Sequence, residues 1–388
     1  MLIAVGGSEL IVRAFFPQDP GVWHQRRDGL ITLRPNSNTY LPGFRQWIRV
    51  NSFGMRDREH TQINTHHAFR ILLLGDSFME ALQLSFEESF PHLLEKRLRS
   101  VTGNPPEIIS AGISGWGTDD QLTYLTRDGL GLGPDLILLS MTLHNDISDN
   151  LEERFHTLAA GTLHERVQEP LSVPQYTLLR LRMYLASYSH LYQLVRRYFR
   201  QGQVGTRAEA LNLHVSDLLR KQPGNQIRRG WKVTHALLEE MERRAHDAGA
   251  RMAIILIPLA LQVSEDRLTG FLAAHALSRE EISVEQPQRM MVEWARKNGV
   301  EVIDLLPEFA DWTKTHQRDL YLPRDGHWNQ NGHQLAADVV AQGLVARGLV
   351  SSRRERNWIK SETSQQPRRL GQSAGALGVR TGPIQLHY

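Results

Sequence analysis

Phe69-Arg70-Ile71-Leu72-Leu73-Leu74-Gly75-Asp76-Ser77-Phe78-Met79-Glu80-Ala81-Leu82 is the stretch on which the fold turns. Its unbroken apolar run, from Phe69 to Leu74, has no polar alternation, so it reads as a strand buried on both faces, the kind that a parallel sheet covered by helices requires. Three small turn residues follow, and then helix formers. The pattern is strand, tight turn, helix. It recurs outward along the chain, with further buried strands expected over Glu107 to Ala111, Asp135 to Met141, Arg251 to Ile257 and Val300 to Leu305. Between them, Phe90, Leu93, Leu94 and Leu98 share one helical face, as do Val233, Leu237, Leu238 and Met241. The expected class is α/β, a doubly wound parallel sheet with helices packed on it.

Outside this rhythm lie three segments. Residues 1–67 are expected to form an N-terminal segment. Met1 to Phe16 reads either as an amphipathic helix or as the remnant of an upstream anchor, and Asp19 to His67 as a small, irregular, mostly non-helical lobe with β-like patches such as Trp47 to Val50. Ile147 to Gly230 interrupts the αβ alternation with an Arg-rich apolar helix near Tyr176 to Phe199 and a polar loop through Gln201 to Thr206. Such an insertion builds a lid beside the site or a second helical layer. After the main domain, 68–350, residues 351–388 lack periodic apolar positions and read as a basic, disordered tail.

The chain has 388 residues, 41% of them hydrophobic, enough for one large core with an appended lobe. Its pI of about 9.2 does not point to nucleic acid, because the tail holds seven Lys/Arg against two Glu and the rest carries 38 basic and 40 acidic groups. No apolar run has the length of about 18 residues that a spanning helix needs, so membrane association is expected only through an anchor absent from this chain. With no cysteine, disulfides, thiolate nucleophiles and Cys-ligated metals are excluded. Compartment stays open between cell envelope and cytoplasm, and oligomeric state is open too.

Four loops carry candidate chemistry. Ser77, on the turn between the first strand and its helix, is placed as a nucleophile at the carboxyl edge of the sheet. After the second strand, Gly112-Ile113-Ser114-Gly115-Trp116-Gly117 offers the Gly115 N–H to a developing oxyanion. The third strand runs into Leu143-His144-Asn145-Asp146, where the Asn145 amide is a neutral donor, or else a helix N-cap. Beyond the fifth strand, Asp325-Gly326-His327 would let a carboxylate reach the imidazole Nδ1–H and fix the tautomer, freeing Nε2 to take a proton from Ser77. Each motif alone is an ordinary turn. Together they lie past the carboxyl ends of different strands, which converge on one crevice in an open α/β sheet.

In order and content these four blocks resemble the SGNH (GDSL-like) hydrolase superfamily, over about Ala68 to Val350, and in particular its bacterial esterase and O-acyltransferase-like members. The resemblance implies a three-layer α/β/α, flavodoxin-like sheet and a metal-free triad of Ser77, His327 and Asp325. It also implies an oxyanion hole from the N–H groups of Ser77 and Gly115 and the side chain of Asn145. The acid stands two residues before the histidine, and Arg324 occupies the position three before. Val50-Asn51-Ser52-Phe53-Gly54-Met55-Arg56-Asp57 resembles a segment that precedes this domain in many bacterial members.

The expected function is hydrolysis of carboxylic esters, short acyl groups on carbohydrate, through an acyl-enzyme, with O-acyl transfer to a polysaccharide as the alternative. A rival of another class is an inert carbohydrate- or anion-binding protein. Nucleotide binding lacks its motifs, since there is no Gly-x-Gly-x-x-Gly and no Walker lysine. No cofactor and no metal are expected. His66, His67, His144 and His333 lack ligand spacing and read as solvated or capping. Trp116 and Trp328 read as packing or as pocket walls, and Asp119 and Asp120 as caps of a helix beginning near Gln121.

Overall fold

The computed structural model describes residues 2–65, 68–102, 105–167, 169, 171–200, 215–323 and 325–350. At its centre is a five-stranded, all-parallel sheet made of β1 (Arg70–Gly75), β2 (Glu107–Gly112), β3 (Leu136–Met141), β4 (Arg251–Leu256) and β5 (Glu301–Asp304). The spatial order is β2-β1-β3-β4-β5. Ile71 pairs in register with both Ile108 and Leu136, and Ile254 with both Leu139 and Val302. All five expected strands are present, with ends shifted by one residue or so.

Alternation along each strand divides the core in two. Leu72 and Leu74, with Ile137, Leu139, Ile254 and Leu256, face one side; Ile71 and Leu73, with Leu136, Leu138, Ala253 and Ile255, face the other. Both faces are covered by helices, which makes the three α/β/α layers. In chain order the helices used below are α1 (Leu2–Phe15), α2 (Ser77–Glu80), α3 (Phe90–Val101), α4 (Thr118–Tyr124), α5 (Leu143–Asp149), α6 (Val173–Tyr188), α7 (His190–Arg200), α8 (Asn225–Asp247), α9 (Glu265–Ala274), α10 (Gln286–Asn298), α11 (Leu306–His316) and α12 (Gln330–Ala346). Helices α3, α11 and α12 pack on the face of Ile71, whereas α4, α8 and α10 pack on that of Leu72.

The chain moves outward from β1 to β2, then returns across β1 to β3. This reversal opens a crevice between the carboxyl ends of β1 and β3, the place where open α/β sheets hold ligands.

The N-terminal lobe is irregular apart from two short antiparallel hairpins, Trp23–Gln25 with Ile31–Leu33 and Asn38–Leu41 with Gln46–Arg49. It is tied to the sheet by charge. The Arg56 guanidinium is buried and donates to the carbonyls of Glu80 (3.0 Å), Ala81 and Leu84 (2.6 Å), at the carboxyl end of α2. Asp57 accepts from the Ser110 N–H (2.8 Å) on β2 and from His60, which also meets Glu107.

The insertion helices do not stand over the crevice as a lid. They pack on the N-terminal lobe, where the Gly21 N–H meets the Ala186 carbonyl at 2.8 Å and Arg27 and Arg34 lie over the rings of Tyr176 and Tyr188. The expected single helix near Tyr176 to Phe199 is two, α6 and α7, parted at Ser189. The tail 351–388 and the loop Gln201 to Thr206 lie outside the described residues.

Candidate active site

Asp76 opens α2 as its N-cap, its carboxylate accepting from the Phe78 N–H at 3.0 Å, and this sets Ser77 as the first helical residue. The helix ends after one turn, because Ala81 is left-handed (φ 50°). The turn lies flat on the strand ends. A Cβ at Gly112 would stand 2.3 Å from Met79 Cβ and 2.9 Å from the Glu80 nitrogen, so only glycine allows that approach.

Opposite Ser77 stands His327. Its Nε2 is 2.7 Å from Ser77 Oγ, and its Nδ1 is hydrogen-bonded to Asp325 Oδ1. The ring rests on Phe78, with centroids 5.0 Å apart. Its loop is held at both ends. Tyr321 and Trp328 form a β-bridge, and the Leu322 N–H donates to the His327 carbonyl at 2.8 Å. Asn329 caps α12, accepting from Asn331 and Gly332, while its amide donates to the Asp319 carbonyl at 2.8 Å. Gly326 sits at φ 80°, which gives the Asp-Gly-His turn its shape.

A cavity of about 570 Å³ opens here, lined by Ser77, Thr142, His144, Asn145, Asp325 and His327 on the polar side. Its remaining walls are Phe78, Pro258 to Leu261, Arg267 and Phe271. Phe78 belongs to α2 and the others to the segment after β4 and to α9; none belongs to the insertion. Sequence reasoning missed this wall, although the proline and the apolar run directly after a strand end, Pro258-Leu259-Ala260-Leu261, were its signal.

Asn145 lines the cavity but is not an N-cap; Thr142 holds that position in α5. Asp146 fixes the loop by accepting from the Thr142 N–H (2.8 Å) and from Thr118 Oγ1 (3.1 Å). Beneath Ser77, burial raises the Asp76 carboxyl above its usual range, opposed by the Phe78 N–H, the Thr142 and Asn145 side chains and the His327 ring. His144, half-buried in the wall, is pushed down to about 4 by desolvation and by His327, so it is neutral near pH 7.

Gly115 stands apart from the other candidates. It is exposed at φ 82°, does not line the cavity, and a Cβ there would meet open space, so its backbone conformation and not crowding is what asks for glycine. Its neighbour Ser114 is tied to α2, donating from N–H (3.1 Å) and hydroxyl to Glu80. Burial pushes Glu80 up to about 7.

Packing decides the remaining expectations. Asp119 and Asp120 lie in the first turn of α4, whose N-cap is Gly117; Asp120 does cap, accepting the Gly117 N–H at 3.3 Å, whereas Asp119 does not. Asp119 accepts from the Phe155 N–H (2.9 Å) and from His156, and Asp120 from Arg154 (2.7 Å). His333 is not solvated; fully buried, it accepts the Phe90 N–H on Nδ1 at 3.1 Å, and desolvation holds it down to about 3. Trp328 and Trp116 are core residues, the first against Phe78, Phe90 and Phe309, the second donating to the Ile31 carbonyl at 2.8 Å. His66, His67 and Arg324 lie outside the described residues. Among the described residues there is no cluster of His, Asp or Glu that could hold a metal.

A five-stranded parallel sheet in this order, covered on both faces by helices and with its crevice at the β1/β3 reversal, is a three-layer, flavodoxin-like α/β/α architecture. Residues 214–387 match the family described as "SGNH hydrolase-like domain, acetyltransferase AlgX", a stretch under half of the chain that includes Asp325 and His327 but not Ser77. No curated protein matches the chain. Among solved structures it is similar to the acetyl xylan esterase AlAXEase, at 15% identity over 71% of this chain and 100% of that one, with a TM-score of 0.39. It is also similar to the acetylxylan esterase Axe2 from Geobacillus stearothermophilus (14%, 71% and 94%, TM-score 0.40) and a putative acylhydrolase from Bacteroides fragilis (11%, 71% and 86%, TM-score 0.34).

Proposed function

We propose that the chain is a serine esterase that removes short acyl groups from carbohydrate through an acyl-enzyme on Ser77. The observation that carries the reading is the 2.7 Å contact between His327 Nε2 and Ser77 Oγ, with Asp325 on the far nitrogen of the same ring. In this reading Asp325 accepts the Nδ1–H and keeps Nε2 free to accept the Ser77 proton as Oγ attacks the ester carbonyl. The Ser77 N–H and the Asn145 amide, both at the cavity, receive the oxyanion, with the Gly115 N–H joining them only if its loop moves toward Ser77. His327 returns the proton to the leaving alcohol, then takes one from the water that releases the acid. No metal enters.

The second reading, transfer of the acyl group to a glycan hydroxyl, is favoured by the acetyltransferase in the matched family's description. The two differ only in the acceptor. Incubation with an acetylated donor, with and without an added glycan, separates them by whether acetate or acetylated glycan accumulates.

A fluorophosphonate probe tests the common step. Labelling of the wild-type chain that is lost in Ser77→Ala is the expected result, together with a fall in ester turnover of roughly 10³-fold or more in Ser77→Ala and in His327→Ala. A folded wild-type chain that takes no label would leave an inert carbohydrate- or anion-binding protein as the better account.

A further inference from the structure

We propose that α1, α6 and α7 form a docking surface for an anionic lipid bilayer, on which the protein sits peripherally. The three helices are one unit. Glu9 of α1 accepts from the Ser189 hydroxyl (2.8 Å) and from the His190 and Leu191 N–H groups (2.9 Å each), which places a carboxylate at the start of α7. One turn on, Arg13 donates to the Tyr188 carbonyl at the end of α6 (2.8 Å). A single helix thus clamps the joint between the other two, each charge at the helix end that favours it. Glu9 is accordingly held down to about 2, its N–H and hydroxyl donors outweighing the desolvation that opposes them.

What this unit presents outward is apolar and basic. Phe15 is 74% exposed, Tyr198 75% and Phe199 73%, and Leu10, Leu181 and Tyr184 are exposed on the same three helices. Helices α6 and α7 present the exposed Arg180, Arg182 and Arg197 and contain no acidic residue, and the one acid of α1, Glu9, is committed to the joint. Exposed aromatic and leucine side chains interleaved with arginines on interfacial helices are what a headgroup region accommodates, the rings entering the acyl boundary and the guanidinium groups meeting lipid phosphates.

Two other occupants fit less well. A second copy packed face to face would bring arginines against arginines. A protein partner would want a pocket for an anchoring side chain, and the cavity at the joint measures only about 10 Å³. No helix among the described residues is long and apolar enough to cross a membrane.

The test is co-sedimentation of the full chain with vesicles of phosphatidylcholine alone or with about 30% phosphatidylglycerol. Binding to the anionic vesicles alone is expected, weakening as salt rises. It should fall at least about tenfold in R180E/R182E/R197E, and likewise in Y198S/F199S. These side chains are exposed, so unchanged thermal unfolding of the variants verifies that they fold. The proposal is overturned by the absence of binding, by equal binding to both vesicle types, or by binding that survives either set of substitutions, which would move it to another part such as the basic tail. A concentration-dependent dimer abolished by Y198S/F199S without vesicle binding overturns it in favour of a second copy.

Discussion

Replacing Asp325 by Asn keeps the size of the side chain and removes the charge and the acceptor that the His327 Nδ1–H meets. An amide there can donate and so favours the wrong tautomer of the ring, with little change in fold because Asp325 is exposed. In the esterase reading Asp325→Asn should therefore lower kcat by about 10²- to 10⁴-fold with KM and melting temperature nearly unchanged, as steady-state kinetics and thermal unfolding will show. Glu80 gives a prediction of opposite character. Burial raises its folded pKa from 4.5 to about 7, so between these values the folded state holds the proton more tightly than the unfolded chain. The stability it contributes is full below about 4.5 and is lost as pH rises through about 7. Glu80→Gln cannot titrate. Relative to wild type it should gain on the order of 1–3 kcal/mol on going from pH 5 to pH 8; melting curves whose difference is the same at both pH values would contradict this.

At the scale of the element, the seat of α2 on β2 is the most sensitive contact near Ser77. Gly112→Ala places a methyl 2.3 Å from Met79 Cβ and 2.9 Å from the Glu80 backbone, which forces the turn off the strand ends. Activity should fall by about 10²-fold or more, beyond what the loss of stability explains, since misplacement by about 1 Å suffices for that; kinetics beside denaturant unfolding measures both. Asn329→Ala removes the cap of α12 and the tether to Asp319, at a cost of about 1 kcal/mol in unfolding free energy. Elements of this kind were readable to different degrees. The five strands were legible because doubly buried parallel strands are continuous apolar runs. Ser77 and Asn145 could be placed together because each follows a strand end closely, whereas Asp325 and His327 lie beyond α11 and were marked by the chemistry of an Asp-Gly-His turn. Gly115 could be assigned a loop but not a direction, since a left-handed φ says nothing about where its N–H points. The insertion reads as a lid or a second helical layer because a long interruption is conspicuous, whereas the cavity wall, α9 and Pro258 to Leu261, belongs to an ordinary-looking crossover. Asp119 escaped for a related reason, as its partners Phe155 and His156 lie 36 and 37 residues away and no local pattern marks them.

Over the whole molecule, buried histidines set the acid limit. His144, His235 and His333 are held neutral by burial, near about 4, 4 and 3 against 6.5 when free. The stability they contribute is complete above about 6.5 and is lost as pH falls through 4, because the unfolded chain takes up the protons first. Thermal unfolding should accordingly show a falling melting temperature below about pH 6, partly restored by His333→Gln, whose amide can still accept the Phe90 N–H without titrating. The N-terminal lobe looks, by composition, like an appendage that could be cut away at residue 67. Arg56 contradicts that view of the chain. It supplies donors to three carbonyls at the end of the turn that begins with Ser77, of which Ala81 also accepts the Leu84 N–H at 3.2 Å. A chain shortened to start at Ala68 would keep every candidate catalytic side chain and yet leave that turn open to water on its hidden side, so the first sixty residues serve as the back wall of the reaction centre.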